Sequence, residues 1–310
     1  MQNNKAMVTV LTATYNRWHL LPNLYHSLCK QTSGEFEWLI VDDGSSDETG
    51  AEIEKLKKTA PFPIHYVYKE NGGKHTALNA GIPLITTDLL IIIDSDDVLK
   101  EDAIETILFY HARYSDRQDL CGYSFHMCYP DGRINGKLFS PDERVDTFIN
   151  VRLRGRDANS DKTEAIYTKI LKEYPYPEFP GEKFFAEGII WIQMAAKYQM
   201  VHINKAITIT DYLADGLTKN RHQLAITSPR GCMYYAKGYM QKEINLRYRV
   251  EGALIYTIYG KVAKIKPAAL VRDADYKLLV LIFFLPAMLI YYLRFAKRVK
   301  KWGNTGTTEE

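Results

Sequence analysis

A doubly wound α/β sheet is the fold this sequence predicts, and three observations predict it. Residues 8–12, 38–42, 64–68 and 89–93 are short, mostly apolar runs between polar turns, the pattern of buried parallel strands. Amphipathic stretches separate them, giving the βαβ alternation of such sheets. Three of the four runs end in polar, mostly acidic turns, and open α/β sheets bind ligands outside the carboxyl ends of their strands.

The helices between these runs are legible in turn. Residues 20–29 place Leu20, Leu21, Leu24 and Leu28 on one face, residues 47–56 start after the capping pair Ser45-Ser46, and residues 103–110 follow the acidic turn Glu101-Asp102. Tyr129-Pro130-Asp131-Gly132-Arg133 predicts a hairpin tip between a strand near 123–128 and a following strand. Residues 135–160 are polar and irregular. A helix is expected over 162–173; then Pro175, Pro177 and Pro180 enforce an extended loop before a second helix over 187–198.

With 310 residues, 46% hydrophobic and 25% charged, the chain can bury a sizeable core. Its net charge of +3 hides an asymmetry. Residues 219–301 hold about 17 Lys/Arg against about 4 Asp/Glu, while residues 1–218 carry roughly −8. Cys29, Cys121, Cys128 and Cys232 show neither a Cys-x-x-Cys pair nor zinc spacing, so reduced thiols in a cytosolic setting fit best. Residues 1–7 lack the apolar stretch of a secretory signal, so the catalytic part is expected to stay in the cytoplasm.

Chemistry concentrates at the strand ends. Asp94-Ser95-Asp96-Asp97 gathers three carboxylates whose repulsion calls for a cation, and magnesium or manganese with a nucleotide diphosphate is the economical one. A helix cap for the segment near Glu101 is the alternative. Asp42-Asp43-Gly44 offers a carboxylate to a nucleobase or ribose, or is a plain structural turn. Asn71-Gly72-Gly73-Lys74-His75 opens a helix where backbone N–H groups and Lys74 could meet an anion, or is a tight turn. There is no Walker loop, G-x-G-x-x-G, H-E-x-x-H or G-x-S-x-G, so ATP-type, NAD-type, zinc-hydrolase and serine-nucleophile readings lack support. Arg152, Arg154 and Arg156 read as a solvated face or as a contact for an acceptor phosphate.

Taken together, Val8 to Arg17, Val41-Asp42-Asp43-Gly44-Ser45-Ser46-Asp47-Glu48-Thr49 and Asp94-Ser95-Asp96-Asp97 resemble the family 2 glycosyltransferases of GT-A fold that build bacterial cell-surface polysaccharides. The resemblance covers roughly residues 7–215. It implies an inverting hexosyl- or N-acetylhexosaminyltransferase using a nucleotide sugar, UDP being favoured, with Mn²⁺ or Mg²⁺. Donor contacts would come from Thr14, Asn16, Asp43, Lys74, Asp94 and Asp96, and metal ligation from Asp96 or Asp97. The family's general base, often in a Glu-Asp pair, maps to Ala186-Glu187; this departs from the pattern and leaves Glu187 as the base. The segment from Asp211 to Asn220 resembles, more loosely, a loop that closes over the donor. A non-catalytic nucleotide-sugar-binding protein and a sugar-phosphate nucleotidyltransferase stand as alternatives. The first leans on Ala186, and the second lacks the Gly-rich loop expected after the first strand.

The expected division is a catalytic domain over 1–218 and a basic helical region over 219–310. Residues 278–293 are apolar but reach only about 24 Å against a bilayer core of about 30 Å, with Pro286 midway. A re-entrant or in-plane membrane helix, a full span and a buried core helix are the open forms, and Arg294, Lys297, Arg298, Lys300 and Lys301 would stay at the cytoplasmic face. Residues 234–266 read as interfacial. A saccharide acceptor, polyprenyl-linked in one form, follows from this tail; a nucleic-acid partner does not.

Overall fold

The computed structural model describes residues 6–154, 160–211 and 217–302. Arg156 and residues 212–216 of the donor-loop expectation therefore lie outside the described residues. The chain divides into two compact units, residues 1–175 with 194–213, and residues 176–193 with 214–310. The boundary expected at 218 is near one crossing, but residues 176–193 are grouped with the later unit.

The first unit is built on a nine-stranded mixed sheet. Its strands are β1 (Val8–Thr14), β2 (Phe36–Asp42), β3 (Ile64–Tyr68), β4 (Leu89–Ile92), β5 (Val98–Leu99), β6 (Leu120–Cys128), β7 (Arg144–Asp146), β8 (Lys162–Tyr167) and β9 (Gln199–Ile209). Their order is β3-β2-β1-β4-β8-β6-β9-β5, with β7 added along β9. The first four are parallel, as their continuous apolar runs require. β8 then runs antiparallel between β4 and β6.

Helices α1 (Leu21–Cys29), α2 (Thr49–Thr59), α3 (Lys74–Gly81) and α4 (Ala103–Arg113) link these strands. Val8 and Val10, with Trp38, Ile40 and Ile91, form one core with Leu21 and Leu24 of α1, Ile53 of α2 and Ile104 of α4. α3 meets side chains that alternate out of that set. A Cβ at Gly81 would lie 2.8 Å from Val41 and 2.9 Å from Leu11, so only glycine allows α3 this close. Helices on both faces make the sheet doubly wound.

Two sequence expectations change. Residues 162–173 form strand β8 and a single turn, α5 (Thr168–Leu171), rather than one helix. Lys162, Thr163, Ala165 and Ile166 are buried between β4 and β6, and this pairing overrides the helix propensity of the segment. The helix expected over 187–198 shortens to α6 (Gly188–Met194). The hairpin tip forms as predicted, Tyr129 N–H donating to the Arg133 carbonyl at 2.9 Å with Gly132 at φ +83°, but the return strand is only the bridge Cys128–Ile134.

His126 on β6 and His202 on β9 are fully buried, and their Nε2 atoms meet Asn204 Oδ1 at 3.1 Å and the Asp146 carbonyl at 3.3 Å. Burial pushes both imidazoles down to about 4, with Lys162 adding to the effect at His126 and Arg152 at His202. The unfolded chain takes up these protons near pH 6.5, so it binds more protons than the fold below that value. Stability is expected to fall on the order of 2–3 kcal/mol per histidine between pH 7 and pH 4. Melting curves at pH 7, 5.5 and 4 should show this slope, shallower in His202→Gln; a flat profile would count against it.

The second unit is helical: α7 (Leu217–Thr227), α8 (Pro229–Tyr239), α9 (Leu246–Val262), α10 (Pro267–Arg272), α11 (Lys277–Ile282), α12 (Phe284–Ile290) and α13 (Ala296–Trp302). Asn245 caps α9 by accepting from Arg247 N–H at 3.0 Å. Met233 and Ala236 of α8, Ala253 and Tyr256 of α9, Leu270 and Val280 share a core. The apolar run is thus broken into α11, α12 and a wide turn at Tyr291–Phe295. Among the described residues no helix is long and apolar enough to cross a membrane, which sets aside the full-span form of the tail.

Candidate active site

The register of β1 on β2 sets Thr14 beside Asp42, so the loops after both strands leave the sheet together. Asn16 stitches them. Its Oδ1 accepts from Ser46 N–H at 2.7 Å and Asp47 N–H at 3.3 Å, and its own N–H donates to Ser45 Oγ at 2.8 Å. It does so at φ +50°, a region that asparagine tolerates better than most residues. Thr14 is buried; its carbonyl accepts from Asp43 N–H at 2.8 Å, while its hydroxyl has no partner.

The two aspartates after β2 are both engaged. Asp42 accepts from Tyr66 Oη at 2.7 Å and Ser45 N–H at 2.8 Å. Asp43 is only 3% exposed and holds the loop after β3: Oδ1 accepts from Lys69 Nζ at 2.8 Å and Gly72 N–H at 2.9 Å, Oδ2 from Asn71 Nδ2 at 3.1 Å and Gly73 N–H at 2.7 Å. Its carboxylate is therefore filled by donors of its own chain. It shapes the cleft by fixing Gly73, at φ +97°, as the entry to α3.

That entry aims Lys74 across to the end of β4, where its Nζ lies 2.6 Å from Asp94. Arg17, from the β1 loop, pairs with Asp96 at 3.3 Å. Burial alone would raise the Asp94 carboxyl, but the charge and hydrogen bond of Lys74, with Arg17 behind them, hold it below the usual range. Asp97 goes the other way. Burial and the neighbouring Asp94, with a smaller push from Asp96, drive its carboxyl up to about 7 against a hydrogen bond from Thr210.

Thus Thr14, Asn16, Asp43, Lys74, Asp94, Asp96 and Asp97 gather at one edge of the sheet. Among the described residues no three His, Cys, Asp or Glu side chains converge as a ready-made metal cage. Magnesium and manganese ask for less, one or two carboxylates completed by phosphate and water. Asp96 and Asp97 fit that demand: both follow the end of β4, and beyond the effect of burial Asp97 feels the negative charge of Asp94 and Asp96, which a cation would offset.

Glu187 belongs to the second unit and directly precedes α6, its carbonyl accepting from Ile190 N–H at 3.1 Å. α6 also lines a cavity of about 630 Å³ within that unit, through Ile189 and Gln193, opposite Tyr234 and Tyr276. Sequence reasoning did not assign Arg17, Lys69 or Asn71. Arg17 and Asn71 stand in motifs it had singled out, but nothing in their spacing says which carboxylate they reach.

Residues 9–152 match the family model described as glycosyl transferase family 2. The glycosyltransferase GlyG of Streptococcus pneumoniae serotype 4 is 30% identical over 157 residues, 50% of this chain and 52% of that one. The chain spans about half or less of the length of the curated relatives it matches. Among solved structures, S. aureus TarS 1–349 in complex with UDP-GlcNAc aligns with TM-score 0.53 and 14% identity, over 95% of this chain and 83% of that one. The mannosyltransferase PcManGT from Pyrobaculum calidifontis, in complex with GDP-Man and Mn²⁺, aligns with TM-score 0.57 and 17% identity, over 98% and 85%. At such identities the likeness is one of fold, and the fold they share is the mixed-sheet GT-A architecture. The motif-bearing strand ends fall inside the matched segment, so it is residues 9–152, the part that carries these loops, that match glycosyltransferase family 2.

Proposed function

We propose that the chain is an inverting glycosyltransferase that moves a hexosyl or N-acetylhexosaminyl group from a nucleotide sugar, UDP-linked in the favoured form, to a saccharide acceptor. The acceptor is a glycan or polyprenyl-linked saccharide at the cytoplasmic face of a membrane, in cell-surface polysaccharide synthesis. One observation carries the reading: the loops after β1, β2, β3 and β4 are tied into one polar edge that pairs carboxylates with Lys74 and Arg17. UDP-GlcNAc and GDP-Man in the two structural neighbours support a nucleotide-sugar donor.

In this mechanism Thr14, Asn16 and Asp43 shape the nucleoside pocket, Asp43 by holding the Gly72-Gly73 backbone. Lys74 and Arg17 receive phosphate charge. Asp96 and Asp97 would hold Mn²⁺ or Mg²⁺, which when bound neutralises charge on the departing diphosphate. Glu187 removes the proton of the acceptor hydroxyl as its oxygen attacks the anomeric carbon, opposite the bond to the nucleotide.

The test is nucleoside diphosphate release from UDP- and GDP-sugars by the full chain, with a lipid-linked saccharide supplied. Glu187→Gln is expected to lower kcat about 10²- to 10⁴-fold while donor affinity holds. Donor binding without release, indifferent to this substitution, would favour the non-catalytic alternative that Ala186 suggests.

A further inference from the structure

The strongest unexplained surface is the outer face of α11, α12 and the turn that follows. Leu278, Leu281, Leu285, Leu289 and Leu293 recur at spacings of three and four residues and are each 60% to 77% exposed. The inner face of the same segment is occupied, with Val280 packed in the α8–α9 core and Ala287 and Tyr291 beside Ile258 of α9. An uncompensated leucine stripe of this length is more than scattered surface apolarity.

Its flank carries the charge that identifies the occupant. Arg294, Lys297, Arg298, Lys300 and Lys301 are exposed and follow within a few residues, and no Asp or Glu stands between Asp275 and the end of α13. We propose that this segment lies in the plane of an anionic lipid surface, the leucine face buried at the headgroup–acyl boundary and the basic residues among the headgroups. A second copy of the chain fits less well, because pairing two such faces would bring two basic flanks together. The inner face, held by α9, leaves only the outer one for lipid. The inference deepens the membrane location of the proposed function and rests on that part of it.

Full-length protein should co-sediment with phosphatidylglycerol-containing vesicles, about tenfold less with pure phosphatidylcholine, and progressively less as salt rises. Leu285→Glu with Leu289→Glu should reduce vesicle binding more than tenfold. Both positions are exposed, and an unchanged melting temperature separates lost binding from lost folding. Leu285→Trp should be quenched by lipids brominated near the headgroup; quenching from the bilayer centre overturns the in-plane geometry. No vesicle binding by the wild type also overturns the inference, as does a dimer that Leu285→Glu and Leu289→Glu dissociate in its place. Nucleoside diphosphate release from the nucleotide sugar with a soluble saccharide as acceptor, measured without vesicles, reports separately on the transferase reading.

Discussion

Asp96→Ala is expected to lower sugar transfer about 10²- to 10⁴-fold, because a carboxylate that holds the metal controls charge on the leaving diphosphate, worth several kcal/mol in the transition state. The same change frees Arg17 from its partner at 3.3 Å. That pair is partly exposed, so its loss should cost stability no more than about 1 kcal/mol. The expected signature is therefore lost turnover with an almost unchanged melting temperature, together with a weakened Mn²⁺ dependence of UDP binding. Turnover and metal dependence that both survive Asp96→Ala would remove Asp96 from the metal site.

Asp43→Ala should instead act mainly through the fold. It strips partners from Gly72 N–H and Gly73 N–H beside a carboxylate that is almost fully buried, and leaves Lys69 and Asn71 with only their remaining acceptors. Orphaned donors and an uncompensated cation of this kind cost about 2–4 kcal/mol. Urea unfolding would register the loss, and donor affinity should fall with it as the entry to α3 loosens. Asp43→Asn keeps the shape but presents an NH₂ group to one pair of donors, so it should fall between alanine and the wild type. A change below about 0.5 kcal/mol in Asp43→Ala would mean that the loop closes without its anchor.

Four parallel strands were legible because burial on both faces leaves an unbroken apolar run, and the acidic turns after β2 and β4 were legible because charge at a strand end needs a reason. β8 was not, since Lys162, Glu164 and Ala165 suit a helix and only pairing with β4 and β6 decides otherwise. β9 escaped notice as well; Asn204-Lys205 interrupts it and its register with β6 shifts beyond Phe125. Site partners were the least readable. That Arg17 faces Asp96, or that Asp43 collects four donors from the β3 loop, depends on strand order and register, which local sequence does not encode.

Lys74 and Arg17 already sit against Asp94 and Asp96, so in the proposed mechanism an arriving diphosphate would find its counter-cations waiting rather than having to recruit them. In that proposal Asp96, on giving up Arg17 to phosphate, would become available to the metal in the same exchange. Nucleotide and metal would then be coupled ligands, each expected to raise the other's affinity by the same factor, with weak metal binding expected when no nucleotide is present.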